Sequence, residues 1–176
     1  MLRAHKETNC RSHRPLPPTT IMNKHTEMKS GEMTMAVLAC GTMGTAILSG
    51  VLDCQAAMSR GEVSTDLSAS SQAGETFERV PLPRKYIATV GRDSTAKRLV
   101  RTFEEAGHTN VEVFKQSNVE AVRKSDLVLL CTKPQRVSEF LSEPGMQEAL
   151  EGKMVVSIAA GTTIAKIKQC VPSSTK

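Results

Sequence analysis

The amino-acid sequence predicts an α/β domain with a doubly wound, mainly parallel β-sheet, on the basis of three observations. Short apolar segments of strand length alternate with helical segments along most of the chain. One of them, residues 126–132, contains a continuous apolar run, as strands do when a parallel sheet buries both of their faces. The core must be aliphatic, because the 176 residues include four Phe, one Tyr and no Trp.

Hydrophobic periodicity places the individual elements along the chain. The predicted strands cover 35–39, 85–90, 110–114, 126–132 and 153–158. The predicted helices cover 43–54, 95–106, 117–124, 135–142, 145–151 and 162–170. We expect Ser94 to be the N-cap of the second helix, because short hydroxyl side chains accept from free amides. We expect Gly107 to end that helix, because glycine accepts the left-handed backbone beyond a last turn.

Two segments fall outside this pattern. Residues 1–34 lack hydrophobic periodicity and are rich in Thr, Lys, His and Pro, which predicts a disordered N-terminal extension. Residues 55–84 are dominated by Ser, Gly, Glu and Thr and end near two prolines, which predicts a flexible surface insertion. The predicted organisation is therefore an extension followed by one domain, residues 35–176, that carries the insertion at 55–84.

Charge and cysteine content argue against several other classes of protein. The formal net charge is +5, of which +3 lies in residues 1–34, and basic residues do not cluster with aromatic ones as in nucleic-acid binders. The five cysteines are widely spaced without a C-x-x-C pair, so we predict reduced thiols and no metal site.

No apolar run has the length of a membrane span, and the N-terminus has no continuous apolar stretch typical of a secretory signal. We therefore predict a cytoplasmic protein without membrane contact. A mitochondrial location is disfavoured, because Pro15, Pro17 and Pro18 would interrupt an amphipathic leader helix.

The first strand and the first helix are joined by a turn rich in small residues. Residues 39–44 match the dinucleotide-binding pattern G-x-G-x-x-G, except that Ala39 stands at its first glycine. Between a strand and a helix, such a turn brings backbone N–H groups to a pyrophosphate at the helix N-terminus. We therefore expect six residues to contact the cofactor: Ala39, Cys40, Gly41, Thr42, Met43 and Gly44.

The turn after the second predicted strand contains Arg92, Asp93 and Ser94. In a dinucleotide-binding fold an acid at this place binds the ribose 2′-hydroxyl of NAD, whereas an Arg accommodates the 2′-phosphate of NADP. Arg92 follows Gly44 by 48 positions, and subtraction of the 30-residue insertion leaves 18, close to the usual spacing of about 20. We predict NADP over NAD; the alternative is that Arg92 is a solvated turn residue.

The fourth predicted strand ends in Thr132, Lys133 and Pro134, at the sheet edge where open α/β folds bind ligands. Lys133 is a candidate donor to the cofactor's ribose or phosphates, and the alternative is that Lys-Pro simply terminates the strand. His108 has no obvious partner in the sequence, and we interpret it as a surface capping residue at a helix end rather than a catalytic one.

Three segments in order, 36–47, 118–135 and 156–164, resemble pyrroline-5-carboxylate reductases, the fungal form in particular. The resemblance covers residues 35–176 and implies the N-terminal, Rossmann-like NADP-binding domain of that family. It implies hydride transfer from NADPH, or from NADH, to 1-pyrroline-5-carboxylate, which gives L-proline in the last step of proline biosynthesis.

The resemblance also implies roles for individual residues. The turn 39–44 would hold the pyrophosphate, and Arg92 and Ser94 would meet the adenosine phosphate. Asn118 would bond the cofactor. The residues implied to line the nicotinamide side are Thr132, Lys133 and Pro134.

The sequence departs from the family pattern at two places. Ala39 replaces the first glycine, and a positive φ there would cost alanine on the order of 1 kcal/mol. The family continues past the position of Lys176 into a sixth strand and an all-helical domain, which forms the dimer and most of the substrate site. We therefore expect this truncated chain to bind cofactor with little turnover, and the family's homo-oligomer is not expected of it.

Two other functions are left open. One is a non-catalytic NADP-binding module, or a degenerate fragment, that associates with another protein through an exposed sheet edge. The other is a different small NADP-dependent dehydrogenase, because a fold does not determine a substrate. Outside the cofactor motifs, the sequence offers no set of groups for an imino acid's carboxylate and protonated imine, so no residue is predicted to be catalytic.

Overall fold

The computed structural model describes residues 32–62 and 82–176. Within these ranges, five strands form one sheet in the spatial order β3-β2-β1-β4-β5, and every pairing is parallel. The strands are β1 (Thr34–Leu38), β2 (Lys85–Val90), β3 (Val111–Lys115), β4 (Leu127–Leu130) and β5 (Met154–Ser157). The predicted α/β class and doubly wound sheet are confirmed.

Helices follow each strand and cover the sheet. They are α1 (Thr42–Ser59), α2 (Asp93–Glu105), α3 (Asn118–Arg123), α4 (Val137–Leu141), α5 (Met146–Leu150) and α6 (Ile164–Lys168). A 3-10 turn, Pro134–Arg136, leads into α4. In the two described ranges, no helix is both long and apolar enough to cross a membrane.

The two faces of the sheet form two separate cores. Side chains alternate along β1, so Met35 and Val37 pack with α1 and α2, whereas Ala36 and Leu38 pack with α3, α4 and α5. All five residues of β1 are buried, because this strand lies at the centre of the sheet. The buried apolar run of β4 agrees with the prediction of an interior strand.

The edge strand β5 is only partly covered. Val155 packs against the second core, whereas Met154 and Val156 are 52% and 44% exposed on the opposite face. Lys176 lies beside β5: its N–H donates to the carbonyl oxygen of Lys153 at 2.9 Å, and its carbonyl oxygen accepts from Val155 N–H at 2.8 Å. This pair of bonds is one rung of a parallel ladder.

The first strand begins one residue before the predicted domain. Thr34 belongs to β1, where its backbone N–H donates to Asp126 Oδ2 at 2.8 Å and its register partner is Lys85. Thr34 is buried, so the predicted boundary of the extension at 34 is wrong for this residue. The predicted disorder of residues 1–31 lies outside the described residues.

Helix α1 extends five residues into the predicted insertion and ends at Ser59. The reason is local: the helix continues through Ala56 and Ala57, which are good helix formers, and stops before Gly61 at φ +74°. The side chain of Gln55 also donates to the carbonyl oxygen of Pro83 at 2.7 Å. The predicted insertion is therefore wrong at 55–59, and its residues 63–81 lie outside the described ranges.

The second helix starts two residues earlier than predicted. Asp93 is its first residue, Arg92 occupies the N-cap position with an extended backbone, and Ser94 lies inside the first turn. The prediction of Ser94 as the N-cap is therefore wrong. Gly107 ends the helix as predicted: its φ is +78°, and the N–H groups of Gly107 and His108 donate back to Glu104 and Phe103.

Candidate functional site

The predicted cofactor residues all follow the carboxyl ends of strands. The turn 39–44 follows β1, residues 91–94 follow β2, Asn118 begins the helix after β3, and Thr132–Pro134 follow β4. The chain passes outward from β1 through β2 to β3, and then crosses back to β4 on the other side of β1. Such a reversal of strand order opens a crevice at the carboxyl edge, where open α/β folds bind ligands.

The turn after β1 is fixed by the neighbouring strand β2. The backbone N–H of Ala39 donates to Thr89 Oγ1 at 3.1 Å, and the N–H of Cys40 donates to the carbonyl oxygen of Thr89 at 2.7 Å. Thr89 is buried, and its side chain therefore serves as an anchor for the turn. A further bond, from Gly41 N–H to the carbonyl oxygen of Ala39 at 2.7 Å, closes the turn tightly.

Ala39 adopts the left-handed backbone region, with φ +55°. Glycine enters this region without penalty, whereas the methyl group of alanine costs on the order of 1 kcal/mol there. The bonds to Thr89 hold the residue in this conformation. The substitution of Ala for the first glycine of the pattern is therefore a strained one.

The N-terminus of α1 faces the crevice with free backbone donors. The first turn of a helix has amides without partners inside the helix, and in α1 no side chain caps them. The N-cap Gly41 is exposed, and a Cβ built on it would find no atom nearer than the carbonyl oxygen of Ala39 at 3.9 Å. An anion can therefore approach this backbone closely, and the helix dipole favours its charge.

The last glycine of the pattern has a different role, which is packing. A Cβ on Gly44 would lie 3.3 Å from Cys40 Sγ, 3.3 Å from Val37 Cγ1 and 3.4 Å from Cys131 Cβ. Gly44 is buried, so α1 rests directly on β1 and on the end of β4. The absence of a side chain brings the helix N-terminus close to the sheet edge.

The two thiols beside Gly44 are protonated at neutral pH. Burial raises the pKa of Cys40 to about 11, against an opposing hydrogen bond with Thr45. Burial, together with the neighbouring Cys40, raises the pKa of Cys131 to about 11. Neither group is therefore an activated nucleophile. The four cysteines in the described ranges are free thiols.

Arg92 and Ser94 are exposed at the carboxyl end of β2, as the predicted phosphate contact requires. Between them, Asp93 is engaged: Lys115 Nζ lies 2.7 Å from its Oδ1 and 2.8 Å from its Oδ2. Lys115 was missed at the sequence level. The only signal for it is its position at the end of the strand that pairs with β2, where its register partner is Val90.

Asn118 lies at the same edge, as the first residue of α3. Its Nδ2 donates to Glu143 Oε2 at 3.1 Å, so one of its amide protons is directed toward the loop between α4 and α5. Glu143 is a second residue that sequence reasoning missed, since 25 positions separate the two partners.

The loop after β4 completes the edge. Thr132 is buried, Lys133 is exposed with an extended backbone, and Pro134 begins the 3-10 turn. Cys131 N–H donates to the carbonyl oxygen of Leu38 at 3.0 Å, which fixes this loop beside the turn that follows β1. Lys133 therefore projects from a short, anchored loop on the β4 side of the crevice.

His108 has a structural partner that the sequence did not indicate. Its Nε2 lies 3.2 Å from Asp53 Oδ1, and its ring lies against Phe103. These contacts join the C-terminal parts of α1 and α2 at the amino edge of the sheet, away from the crevice. The His108 side chain is only 12% exposed, so its interpretation as a surface residue is wrong, and its contacts are structural.

Other features of the described residues lie away from the carboxyl edge. A cavity of about 170 Å³ is lined by Thr34, Tyr86 and Asn110 among others, at the amino ends of β1, β2 and β3. No group of three or more His, Cys, Asp or Glu side chains within 32–62 and 82–176 is arranged to hold a metal ion. The predicted cofactor residues, in contrast, all lie at the carboxyl edge of the sheet.

Comparison with known families defines the class of protein. Residues 34–161 match the family described as NADP oxidoreductase, coenzyme F420-dependent, and the chain belongs to this family. The predictions of an oxidoreductase and of a nicotinamide cofactor are confirmed at the level of this family.

Individual relatives agree with the resemblance stated from the motifs. The chain is 39% identical over 142 residues to a pyrroline-5-carboxylate reductase from Lophium arboricola, a match that covers 81% of this chain and 42% of that protein. It is 35% identical over 156 residues to a pyrroline-5-carboxylate reductase from Neurospora crassa, with 80% and 43% covered. The chain therefore spans less than half the length of these curated relatives.

A solved structure supports the same fold. The crystal structure of Plasmodium falciparum pyrroline carboxylate reductase with NADP bound superposes with a TM-score of 0.50 at 16% identity, covering 80% of this chain and 38% of that one. At this identity the likeness concerns the fold alone.

Proposed function

We propose that this chain is the cofactor-binding part of a pyrroline-5-carboxylate reductase, which reduces 1-pyrroline-5-carboxylate to L-proline with NADPH. The observation that supports this most strongly is the uncapped N-terminus of α1 behind the turn 39–44, at the switch point of the sheet. The identity of 39% to a curated reductase supports the choice of substrate.

Different residues at the crevice would bind different parts of the cofactor. The backbone N–H groups of Thr42, Met43 and Gly44, at the N-terminus of α1, would donate to the pyrophosphate, whose negative charge the helix dipole favours. Arg92 and Ser94 would hold the 2′-phosphate of the adenosine ribose. Asn118 would bond the cofactor, the loop Thr132–Pro134 would line the nicotinamide side, and the bound cofactor would supply the hydride.

Binding of the imino acid is proposed to require further residues, beyond those at the crevice. The curated relatives extend well beyond the matched region, which is 42% of the Lophium protein. The candidate residues at the carboxyl edge of the sheet are all assigned to the cofactor in this proposal, which leaves none for the imino acid. We therefore expect the chain of 176 residues alone to bind NADPH, with NADH weaker, and to show little proline formation.

A titration with both cofactors tests this proposal. NADPH and NADH are added to the purified chain, and binding is followed by the change in cofactor fluorescence. In Arg92→Ala, binding of NADPH should weaken about tenfold while binding of NADH changes little, because only NADPH carries the 2′-phosphate. Arg101→Ala is the matched control, because it removes an exposed Arg from α2, the helix that begins directly after Arg92. Equal losses for both cofactors would contradict the phosphate role of Arg92.

The second candidate function is a non-catalytic NADP-binding module that associates with another protein. The exposed apolar side chains of Met154 and Val156 favour it, because uncovered apolar faces promote association. Size-exclusion chromatography separates the two: a monodisperse monomer argues against an associating module. A different NADP-dependent dehydrogenase is the third candidate, which assays with other carbonyl or imine substrates would identify.

A cytoplasmic location and the absence of nucleic-acid partners also stay proposals. The described cysteines are free thiols, as in proteins of reducing compartments. A homo-oligomer of the family's kind is not proposed for this chain alone. The expected ligand of this chain is the cofactor. A longer family member is expected to bind the imino acid as well.

A further inference from the structure

One acidic side chain lies at the ribose end of the proposed cofactor site, and it is held by a lysine. Asp93 follows Arg92 directly and begins α2. Lys115 Nζ lies 2.7 Å from Asp93 Oδ1 and 2.8 Å from Oδ2, so both carboxylate oxygens face the same ammonium group. The carboxylate is 62% exposed and the lysine side chain 26%, so the lysine is the more firmly enclosed partner.

The lysine is positioned by the sheet. Lys115 is the last residue of β3 and pairs in register with Val90, the last residue of β2. The next residue, Gln116, turns sharply with φ +51°, donates its N–H to the carbonyl oxygen of Val90 at 3.0 Å, and donates from Nε2 to the carbonyl oxygen of Gly91 at 3.3 Å. The end of β3 is thus tied to the turn that carries Asp93.

This placement matters because an acid after the second strand opposes a 2′-phosphate. A free carboxylate there accepts from the ribose 2′-hydroxyl of NAD and repels the phosphate of NADP. The sequence offers both an Arg and an Asp at this turn, and a free Asp93 would oppose the NADP preference that Arg92 predicts. The ion pair removes this opposition, since it neutralises the acid and draws it toward β3 while Arg92 stays exposed.

We propose that Lys115 determines the cofactor preference of this chain by holding the carboxylate of Asp93 away from the ribose, so that a 2′-phosphate is accepted. Lys115 acts here as a positioning residue, through Asp93. This inference rests on the proposed function, because it requires that a nicotinamide dinucleotide binds at the crevice.

The test is the ratio of the dissociation constants for NADH and NADPH, measured by fluorescence titration at low salt. In Lys115→Gln the ratio should fall about tenfold in favour of NADH, because a freed carboxylate next to a phosphate is repelled at short range. Asp93→Asn in that background should restore the ratio, and Asp93→Asn alone should leave it nearly unchanged. Lys115→Arg should keep the wild-type ratio.

Lys124→Gln is the matched control, since Lys124 also pairs with an acid, Glu120 at 2.8 Å, but lies after the C-terminus of α3 at the opposite edge. An equal fall in Lys115→Gln and Lys124→Gln would overturn the inference, because only net charge would then matter. A fall that Asp93→Asn does not reverse would overturn it as well, in favour of a direct contact between Lys115 and the phosphate.

Two further outcomes distinguish a failure of the proposed function from a failure of this inference alone. If wild type binds neither cofactor, the proposed function fails and the inference fails with it. If wild type prefers NADPH and Lys115→Gln keeps that preference, only the inference is overturned. Lys115→Met, which retains the aliphatic stem, is the second neutral variant, and it replaces Lys115→Gln if thermal unfolding shows that the latter does not fold.

Discussion

The centre of the sheet and its β5 side differ in how completely they are covered. Around β1 and β2, side chains are buried on both faces, and the turn between β1 and α1 is held by bonds to Thr89. At β5, exposed side chains alternate with half-buried ones, and Met154 and Val156 face outward. The carboxyl ends of β1 and β2 therefore rest on a complete core, whereas the β5 side presents an apolar face.

The largest expected effect comes from the core itself. Leu130, at the end of β4, is fully buried, so Leu130→Ala should lower the free energy of unfolding by about 3 kcal/mol through lost burial and a cavity. Met154→Ala on the exposed face of β5 should cost less than about 1 kcal/mol. Urea unfolding of both variants measures the contrast. Similar losses would mean that β5 is as well covered as the centre.

The next effect concerns the contact between α1 and the sheet. Gly44→Val should destabilise the protein by about 2 kcal/mol, because the new Cβ would lie 3.3–3.4 Å from three neighbouring atoms. Gly50→Val, in the same helix with no atom within 4 Å of its Cβ, should change stability by less than about 0.5 kcal/mol. Thermal unfolding compares them, and equal melting temperatures would refute the close packing at Gly44.

A smaller effect, of opposite sign, is expected at Ala39. Ala39→Gly removes the methyl group from a backbone at φ +55°, so it should stabilise the fold by up to about 1 kcal/mol. NADPH should bind at least as tightly, since the turn keeps its bonds to Thr89. Denaturant unfolding checks the first part and titration the second. A destabilised glycine variant would show that Ala39 is not strained.

A further effect, whose size grows with the pH, is a dependence of stability on alkaline pH. The thiols of Cys40 and Cys131 have folded-state pKa values of about 11, above the ordinary 9.0. Between these values the unfolded chain loses protons that the folded chain keeps, so stability is fully present below pH 9 and falls as the pH rises toward 11. Unfolding free energies at pH 8 and pH 10.5 measure this decrease. It should shrink when both cysteines are replaced by Ala, and an unchanged decrease would assign it to other groups.

The fold was predictable because its signals are local. The apolar run of β4, the alternation of strands and helices, and the glycine turn each depend on neighbouring residues. The same locality explains the errors at element ends. A polar composition at 55–59 concealed the last turns of α1, and Ser94 looked like a cap although the helix already begins at Asp93.

The candidate site was predictable only in part, for a physical reason. Topology brings the ends of parallel strands to one edge, so Arg92, Asn118 and Lys133 could be placed there from sequence. Which side chains hydrogen-bond to each other at this edge depends on the folded geometry of residues that are far apart in the sequence. The pairs Asp93–Lys115 and Asn118–Glu143 are examples. No sequence pattern signals such pairs, and the positive φ of Ala39 likewise depends on its bonds to the neighbouring strand.

The central claim is that the N-terminus of α1 binds the pyrophosphate of NADPH, and Gly41→Asp tests it most directly. Gly41 is the N-cap and its Cβ position is open, so aspartate should fold well there, since it is a favoured cap. Its carboxylate would occupy the amides that the pyrophosphate needs. We predict that Gly41→Asp keeps the wild-type melting temperature and loses at least about 30-fold in NADPH affinity, while Gly50→Asp binds normally. Unchanged NADPH binding in a folded Gly41→Asp variant would contradict the account.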